Sequence, residues 1–493
     1  MSGTVGQQLR GGMLYTALAK YSRVLLSLGV TVVLARLLTP EEFGVVAIVL
    51  VFTGFFSLLS DFGIGPAIVQ YQRLQAIDIS SIFLLTLFIG LVLSGLFFLS
   101  APVLGYLYRD PALTAVGRWI ALTVIFYAAS VVPKALAQKQ LRFKAIGGIT
   151  FGVQLISGGA AIVAAFAGWS YYALVLKAIV ESVLTFGAFF GLVRFPVFRR
   201  YDATAFRRIR RFSGYQFLFN FINYFSRNSD SLLIGRYFGA ASLGLYDRGY
   251  RLMMLPVSNL THVITPVVQP VFAKYQHDLS FVYRSYLQLV RLLAVIGFPL
   301  AIYLYFSAEE IVLLLYGAQW TASVPVFQLL ALTVGLQMVM SSSGAIFQIA
   351  NRTDLLFLSG TLSAFTTVAA ILYGVLFGES IEAVGGCLII SFTLNFVQVF
   401  YLLLCRVLHE PVRTFLAMLR PAALAGLVLW VLLYGFSQWP SLSIYQRFIG
   451  KSFLGAAVVG VFLLRIGKPH FSPPDTALAQ AVDHSPKIPS HGT

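Results

Sequence analysis

Residues 212–256 read FSGYQFLFNFINYFSRNSDSLLIGRYFGAASLGLYDRGYRLMMLP, and their pattern decides the fold of the chain. The stretch begins as an apolar segment but carries four polar residues at intervals of three or four: Asn220, Asn223, Arg227 and Asp230. Residues at this spacing share one face of a helix. A charge at the centre of a membrane helix costs roughly 2.5–3.5 kcal/mol on insertion scales, so such a face normally lines a wet cavity or meets a partner helix.

The composition places this helix in a membrane. Of the 493 residues, 58% are hydrophobic and only 11% are charged, with a mean hydropathy of +0.83, whereas a soluble domain has about 25% charged residues. The two cysteines, Cys387 and Cys405, form neither a disulfide framework nor a metal-binding pattern. We therefore predict an all-α polytopic membrane protein that needs no metal and no cofactor.

Fourteen apolar stretches are long enough to cross a bilayer, which takes about 20 residues. They cover residues 13–38, 44–67, 82–107, 113–135, 145–167, 169–193, 212–236, 244–270, 285–307, 325–349, 355–377, 383–405, 415–436 and 446–465. The tail 467–493 is rich in proline and has no apolar period, so we predict that it is disordered and cytoplasmic.

Basic residues divide unevenly between the loops of the two faces. One face, with the termini included, carries 21 lysine and arginine residues, whereas the other carries only Arg36, Arg109, Arg236 and Arg447. Basic loops stay in the cytoplasm. Both termini are therefore predicted to be cytoplasmic in a bacterial inner membrane, which agrees with an even number of spans.

An internal repeat relates the two halves of the chain. Residues 35–45 (ARLLTPEEFGV) align with residues 235–245 (GRYFGAASLGL) at a constant offset of 200, and Arg23 aligns with Arg227 at an offset of 204. The difference of four residues is about one helical turn, so both arginines keep the same helix face. Six spans separate the copies, which makes the repeat parallel. Parallel lobes are a transporter plan with the substrate site at their interface.

The repeat predicts how the chain is divided into lobes. We expect an N-lobe over residues 1–200 with spans 1–6 and a C-lobe over residues 201–410 with spans 7–12. Two further helices follow in residues 411–466, before the tail 467–493.

Four segments resemble a known transporter family. They are LARLLTPEEFGVVAIV (34–49), SDFGIGPAIVQ (60–70), SRNSDSLLIGRYFGAASLGLYDRGYRLMMLP (226–256) and ITPVVQPVFAKYQHD (264–278). They resemble the polysaccharide transporter branch of the multidrug/oligosaccharidyl-lipid/polysaccharide flippase superfamily, the Wzx-type lipid-linked oligosaccharide flippases. The resemblance covers roughly residues 10–405. It implies a V-shaped bundle of two lobes that works by alternating access.

The resemblance also implies a substrate, undecaprenyl diphosphate carrying a sugar repeat unit. The product would serve O-antigen, exopolysaccharide or capsule synthesis, with membrane lipids and polysaccharide-assembly proteins as partners and no nucleic acid. In relatives that flip a peptidoglycan precursor, the last two helices form a groove for the lipid tail, to which spans 415–436 and 446–465 would correspond. No motif in those two spans establishes this groove.

Charged residues within the predicted spans indicate an anion-binding cavity. The candidate substrate-binding residues are Lys20, Arg23, Asn223, Arg227, Asp230, Lys177, Glu181, Arg248, Arg251, Arg291 and Asp61. Basic groups outnumber acidic ones among them, and guanidinium groups bind phosphate oxygens in a bidentate manner, while lysine acts as a point charge. Lys20 and Arg23 lie about two to three turns into their span, in line with other polar residues, and are the first choice for a diphosphate site.

Several of these residues have a structural alternative. The pairs Lys177–Glu181 and Arg227–Asp230 could be ion pairs that hold the bundle together. Arg248 and Arg251 could extend to the outer interface, because long basic side chains reach toward headgroups. Arg291 could do the same on the cytoplasmic side.

Other functions remain open from the sequence. A multidrug exporter of the same superfamily would need an acidic cavity for organic cations, and a membrane polymerase or glycosyltransferase would need a large external loop or an acidic motif. The basic loop 194–211 could also dock a partner in a polysaccharide assembly complex. No GxxxxGK[ST] phosphate loop occurs, so transport without ATP is expected. The sugar, the polymer, the coupling ion and the oligomeric state are not specified.

Overall fold

A computed structural model describes residues 21–71, 74–196, 204–273, 275–439 and 442–466. All regular secondary structure in these residues is helical. The first helices are α1 (21–37), α2 (Pro40–Asp61), α3 (Ile64–Gln70), α4 (Ala76–Tyr108), α5 (Ala112–Lys139), α6 (Phe143–Phe166), α7 (Tyr172–Val193) and α8 (Thr204–Ala273). The long helix α8 is broken at Gly239, where φ is 83° and ψ is 176°. Glycine tolerates this backbone conformation because it has no Cβ atom.

The remaining helices are shorter on average and include two irregular turns. They are α9 (Leu279–Phe306), α10 (Ala308–Leu315), a 3₁₀ turn (Ala318–Ser323), α11 (Val324–Ala331), α12 (Val334–Met340), α13 (Ser343–Ile349), α14 (Thr353–Phe377), α15 (Ile381–Tyr401), a π turn (Leu402–Leu408), α16 (Val412–Ser437) and α17 (Ile444–Ile466).

The membrane class is confirmed, but the number of spans is not. Ten helices among the described residues are long and apolar enough to cross a membrane, or eleven if the pair Ala318–Ala331 and Val334–Ile349, bent by 46°, is one span. Three of the fourteen predicted spans have no counterpart among these eleven. The span 13–38 begins outside the described residues, and the spans 212–236 and 244–270 fall within α8, whose polar residues lower its hydropathy.

The chain divides into two compact units. The first consists of Met1–Arg251, Ile311–Val326 and Thr367–Leu388, and the second of Leu252–Glu310, Phe327–Thr366 and Ile389–Thr493. This division does not follow the predicted lobes 1–200 and 201–410. The lobes, the separate C-terminal pair of helices and the disordered tail stay predictions.

Small residues bring helices close together in the first unit. Helix α5 is central and packs against α2, α3, α4 and α7. A Cβ atom built on Gly90 would lie 2.4 Å from the Cβ atom of Ala128, and one built on Gly117 would lie 3.0 Å from that of Ala101. Membrane helices rely on such small residues because lipid supplies no hydrophobic force that drives helices together.

The second unit is built around α9, which packs against α12, α16 and α17. A buried ion pair joins the end of this region to α17. Lys451 Nζ lies 2.7 Å from Glu310 Oε1 and donates to the carbonyl oxygen of Phe306 at 2.6 Å. The side chains of Lys451 and Glu310 are only 5% and 0% exposed. Each charge therefore depends on the other, because water does not reach either of them.

We expect Lys451→Ala to destabilise the solubilised protein strongly. Removing one member of a buried ion pair costs about 3–5 kcal/mol, and without Lys451 the Glu310 carboxylate keeps only the more distant Arg447, at 3.8 Å. The measurement is the thermal unfolding midpoint in detergent. Arg447→Ala is the control, because Arg447 is partly exposed and lies 3.8 Å and 3.9 Å from Glu310 and Glu309. The double variant Lys451→Met/Glu310→Leu should recover much of the loss, and a Lys451→Ala protein as stable as the wild type would contradict this account.

Candidate functional site

Two glycines allow the α2 and α8 backbones to touch. A Cβ atom built on Gly44 would lie 1.7 Å from the carbonyl oxygen of Ala240, and one built on Gly244 would lie 1.9 Å from that of Pro40. Gly44 corresponds to Gly244 and Pro40 to Ala240 in the internal repeat. The two copies of the repeated segment therefore contact each other reciprocally. These four residues are called the glycine crossing, and they lie at the end of the helices that is predicted to face outwards.

An aromatic contact reinforces the glycine crossing. The guanidinium carbon of Arg248 lies 4.5 Å from the ring centroid of Phe43, a cation–π geometry. The same Phe43 ring meets Trp320 edge-on at 5.4 Å between centroids. Trp320 is fully buried and donates from Nε1 to the carbonyl oxygen of Ala35 at 2.7 Å. Side chains from α2, α8 and the 3₁₀ turn thus converge at this end of the first unit.

Side chains also satisfy the carbonyl groups at the ends of α1 and α10. The Gln319 amide donates to the carbonyl oxygen of Leu38 at 3.0 Å. In return, Arg36 donates to the carbonyl oxygens of Leu314 and Leu315 at 2.6 Å and 3.2 Å. The last carbonyls of a helix have no partner within that helix. The two helix ends therefore hold each other, which fixes the segment that carries Trp320.

A capping box fixes the start of α2 beside the crossing. The Thr39 amide donates to Glu42 Oε2 at 2.6 Å, and the Glu42 amide donates to Thr39 Oγ1 at 3.3 Å. Ser170, in the turn before α7, donates to the other carboxylate oxygen of Glu42. A capping box satisfies two amides at a helix start that would otherwise lack partners.

Five charged residues form a cluster next to the crossing. Asp247 Oδ2 lies 2.6 Å from Arg248 Nη2 and 2.8 Å from Arg251 Nε. Lys177 interacts electrostatically with Glu181, Arg248 and Arg251. We call Lys177, Glu181, Asp247, Arg248 and Arg251 the basic cluster. It contains three cations and two anions, so it keeps one surplus positive charge.

The two arginines of the basic cluster differ in their access to solvent. The Arg248 side chain is 9% exposed, whereas the Arg251 side chain is 59% exposed. Arg251 can therefore meet a ligand without first losing its packing.

A tyrosine pair links the basic cluster to the polar face of α8. Tyr246 Oη donates to Asp230 Oδ2 at 3.0 Å, and the ring of Tyr246 stacks on Tyr250 at 5.9 Å. Arg227 interacts electrostatically with Tyr250. Asp230 is buried and is held by a tyrosine hydroxyl, and no ion pair with Arg227 occurs among the described residues. The structural alternative of an Arg227–Asp230 bridge is therefore not what this state shows.

Tyr316 lies against the same arginines, just outside the membrane-spanning helices. Burial raises the pKa of its hydroxyl, and Arg248 and Arg251 act in the opposite direction. Its ring lies 5.8 Å from that of Trp320. Tyr316 thus joins the aromatic contact to the basic cluster.

Other predicted site residues lie apart from the basic cluster. Arg23 is exposed on α1 and makes no ion pair within the described part of the chain. Asp61 accepts from the Gly65 amide at 3.0 Å and interacts with Lys134. Its role is therefore local to the break between α2 and α3.

Of the three remaining candidates, only Arg291 has a described side chain. Arg291 belongs to the second unit, and its buried Nε has no partner among the described residues. Lys20 and the side chain of Asn223 lie outside the described residues. Their assignment to a substrate site stays a prediction.

The sequence carries a family signature over most of this region. Residues 33–325 match the profile of a family described as polysaccharide biosynthesis protein. The chain belongs to this family. The match includes the glycine crossing, the basic cluster and Trp320.

Curated relatives of this polysaccharide biosynthesis protein agree with the assignment. The teichuronic acid biosynthesis protein TuaB of Bacillus subtilis is 24% identical over 480 residues, which cover 95% of this chain and 91% of TuaB. The lipopolysaccharide biosynthesis protein WzxC of Escherichia coli is 27% identical over 377 residues, 76% of each chain. The succinoglycan biosynthesis transport protein ExoT of Rhizobium meliloti is 24% identical over 352 residues, 71% of each chain.

A solved structure shows the same fold. The lipid II flippase MurJ in its inward closed conformation superposes with a TM-score of 0.73 at 15% identity, over 91% of this chain and 98% of MurJ. At this identity the likeness establishes the fold of the polysaccharide biosynthesis protein. The expected relation to the flippase superfamily is confirmed by the family match together with these relatives.

Sequence reasoning missed several residues of the site. Phe43, Gln319 and Trp320 were not singled out, because an aromatic or amide residue near a turn has no periodic pattern. Tyr246 and Tyr250 are spaced four apart in the segment YDRGYR, so they share one helix face with each other, beside the face of the charged residues of the cluster. That spacing is the one signal that could have identified them.

We expect Gly44→Ala to prevent the glycine crossing from closing. The added methyl group would lie 1.7 Å from a backbone oxygen, which a side-chain rearrangement cannot relieve. A cysteine introduced at Arg251 should then react several-fold faster with a membrane-impermeant maleimide added from outside to spheroplasts. All labelling is done in a background that lacks Cys387 and Cys405.

Gly152→Ala is the matched control for this test. A Cβ atom at Gly152 would meet nothing within 4 Å, so this variant should be neutral or about 0.4–1 kcal/mol more stable. Equal labelling rates in the Gly44→Ala and Gly152→Ala proteins would show that the crossing does not close the outer end.

Proposed function

We propose that this protein flips undecaprenyl-diphosphate-linked oligosaccharide repeat units from the cytoplasmic to the periplasmic leaflet of a bacterial inner membrane by alternating access. The polysaccharide family, a relative named as a transport protein and a flippase fold support the proposal. The exported units serve O-antigen, exopolysaccharide or capsule synthesis. The partners are the lipid-linked substrate, the surrounding lipids and polysaccharide-assembly proteins.

The exposed guanidinium of Arg251 is the observation that carries this proposal. Its side chain is 59% exposed and lies in a cluster with surplus positive charge. A diphosphate offers several oxygen acceptors with the geometry that a guanidinium binds. An exporter of organic cations would instead require surplus negative charge, so the basic cluster disfavours that alternative.

Asp247 connects the binding of an anion to the contacts beside the glycine crossing. It bridges Arg248, which lies on the Phe43 ring, and Arg251, which is exposed. A diphosphate that binds Arg251 competes with Asp247 for the same guanidinium. The released carboxylate then draws Arg248 away from Phe43, which weakens the contact beside the glycine crossing. Substrate binding thus favours the state that opens outwards.

The membrane potential determines the direction of transport. The cell interior is negative, so outward movement of an anion gains roughly 2.3 kcal/mol per charge per 100 mV. After the substrate leaves, the same field acts on the surplus positive charge of the empty cluster and favours its return to the inward-open state. The cycle requires no nucleotide hydrolysis.

We expect Arg251→Ala and Lys177→Ala each to reduce surface polysaccharide at least about tenfold, since each removes a charge-assisted contact worth about 1.5–3 kcal/mol. The assay uses the native host with its chromosomal copy deleted, at matched protein levels in the membrane. Because the native host supplies the protein's own substrate, a difference in sugar specificity cannot cause a loss of polysaccharide. Arg251→Lys should retain part of the activity, because it keeps the charge but loses the planar fork.

Arg352→Ala is the control for this assay. Arg352 is an exposed cation that pairs with Asp354 at 2.9 Å, far along the chain from the basic cluster. Surface ion pairs contribute about 0–1 kcal/mol, so this variant should behave like the wild type. Wild-type levels of polysaccharide in both Arg251→Ala and Lys177→Ala would refute the anion-binding role of the cluster.

The orientation can be tested with single cysteines in the same cysteine-free background. Glu379 lies in the turn between α14 and α15, and Thr353 lies at the opposite end of α14; both are exposed. In spheroplasts, an impermeant maleimide should label a Glu379→Cys protein but not a Thr353→Cys protein. The reverse pattern would place the termini outside and would contradict the direction of transport.

A further inference from the structure

A cavity at the predicted outer end of the first unit is lined by two arginines from different helices. Its volume is about 440 Å³, and its walls include Arg109 after α4, Thr114 on α5 and Arg236 on α8. Tyr108 donates to the carbonyl oxygen of Leu232 at 3.2 Å, which joins the end of α4 to α8 beside the cavity. The two arginines are therefore held by packed helices and not by a free loop.

Neither arginine has an acidic partner in the part of the chain that the structure describes. Among the described residues, no carboxylate lines the cavity and no ion pair involves Arg109 or Arg236. The nearest acid in sequence, Asp110, accepts a hydrogen bond from the Ala112 amide at 2.9 Å. Arg236 lies over the ring of its neighbour Tyr237 at 5.9 Å, which orients the guanidinium but does not neutralise it.

The other basic residues of the predicted outer loops are occupied. Arg36 donates to two backbone carbonyls, and Arg447 faces two glutamates. The predicted outer loops contain only four basic residues. Two of them, Arg109 and Arg236, line the same cavity, and no described carboxylate lies in its walls. Topology does not require basic residues on this face, so a ligand is the better explanation for their convergence.

The surroundings of the cavity indicate that the ligand is attached to a lipid. Tyr106, on the last turn of the membrane-spanning helix α4, lines the cavity and is 88% exposed. Tyrosine is enriched at membrane–water interfaces, where its ring sits at the level of the headgroups. The Thr114 wall adds a hydroxyl donor to the two guanidinium groups. Phosphate oxygens attract donors of these types.

We propose that this cavity, the Arg109–Arg236 site, binds the phosphate or diphosphate headgroup of a lipid in the outer leaflet. Two sources share this chemistry: an anionic phospholipid such as phosphatidylglycerol, and a polyprenyl diphosphate on the outer side. The site is distinct from the basic cluster, and it stands whether or not the protein acts as a flippase.

The test is native mass spectrometry of the full-length protein in detergent with added lipid. The probes are phosphatidylglycerol, phosphatidylcholine and undecaprenyl diphosphate. The last is measured in an Arg251→Ala background so that the basic cluster does not contribute. We expect the double variant Arg109→Ala/Arg236→Ala to retain roughly tenfold less anionic lipid than its parent protein. Arg109→Lys/Arg236→Lys should retain an intermediate amount.

Arg118→Ala is the matched control, because Arg118 is an exposed cation on α5 that lies over the Phe98 ring at 5.6 Å. It should bind as the wild type does. Loss of both anionic lipids in the double variant assigns the site to phosphate headgroups in general, and loss of undecaprenyl diphosphate alone assigns it to the polyprenyl diphosphate. Unchanged binding in the double variant, or an equal loss in Arg118→Ala, would overturn the proposal. None of these readouts involves transport.

Discussion

Two helix backbones can touch only where no side chain stands between them. The crossing of α2 with α8 depends on that constraint. Gly44 and Gly244 remove the side chains that would separate a backbone from the facing carbonyl group. Because the backbones meet, Phe43 reaches Arg248, and Trp320 can pack against Phe43 while it donates to α1. The same crossing places the YDRGYR segment, with Asp247 and Arg251, directly beside the closed end.

The basic cluster pairs most of its charges but keeps one positive charge in excess. Asp247 holds two guanidinium groups, so Arg248 can be buried at little cost, since its partner compensates for the lost hydration. Arg251 shares the same carboxylate but stays exposed. One arginine therefore packs beside the glycine crossing, while the other remains accessible. In the mechanism proposed above, this shared carboxylate links ligand binding at Arg251 to the contact between Arg248 and Phe43.

Charge and repetition could be predicted from the sequence, whereas long-range contacts could not. Lys177, Arg248 and Arg251 stand out because charges are rare in apolar helices, and the structure brings them together. The repeat of residues 35–45 at 235–245 identified the segments that cross. Trp320 bonds to Ala35 across 285 residues, and no local pattern encodes that pairing. Asp230 is three residues from Arg227, yet a tyrosine two turns beyond the helix break binds it instead, because tertiary neighbours outweigh helical spacing.

The Lys451–Glu310 pair has a consequence for biogenesis. The two residues are 141 positions apart, and at about 5–20 residues per second the ribosome needs roughly 7–28 s to travel between them. Throughout that interval the Glu310 carboxylate lacks its lysine partner. The pair can form only after α17 has been synthesised, so the last helix completes the packing around the start of α10.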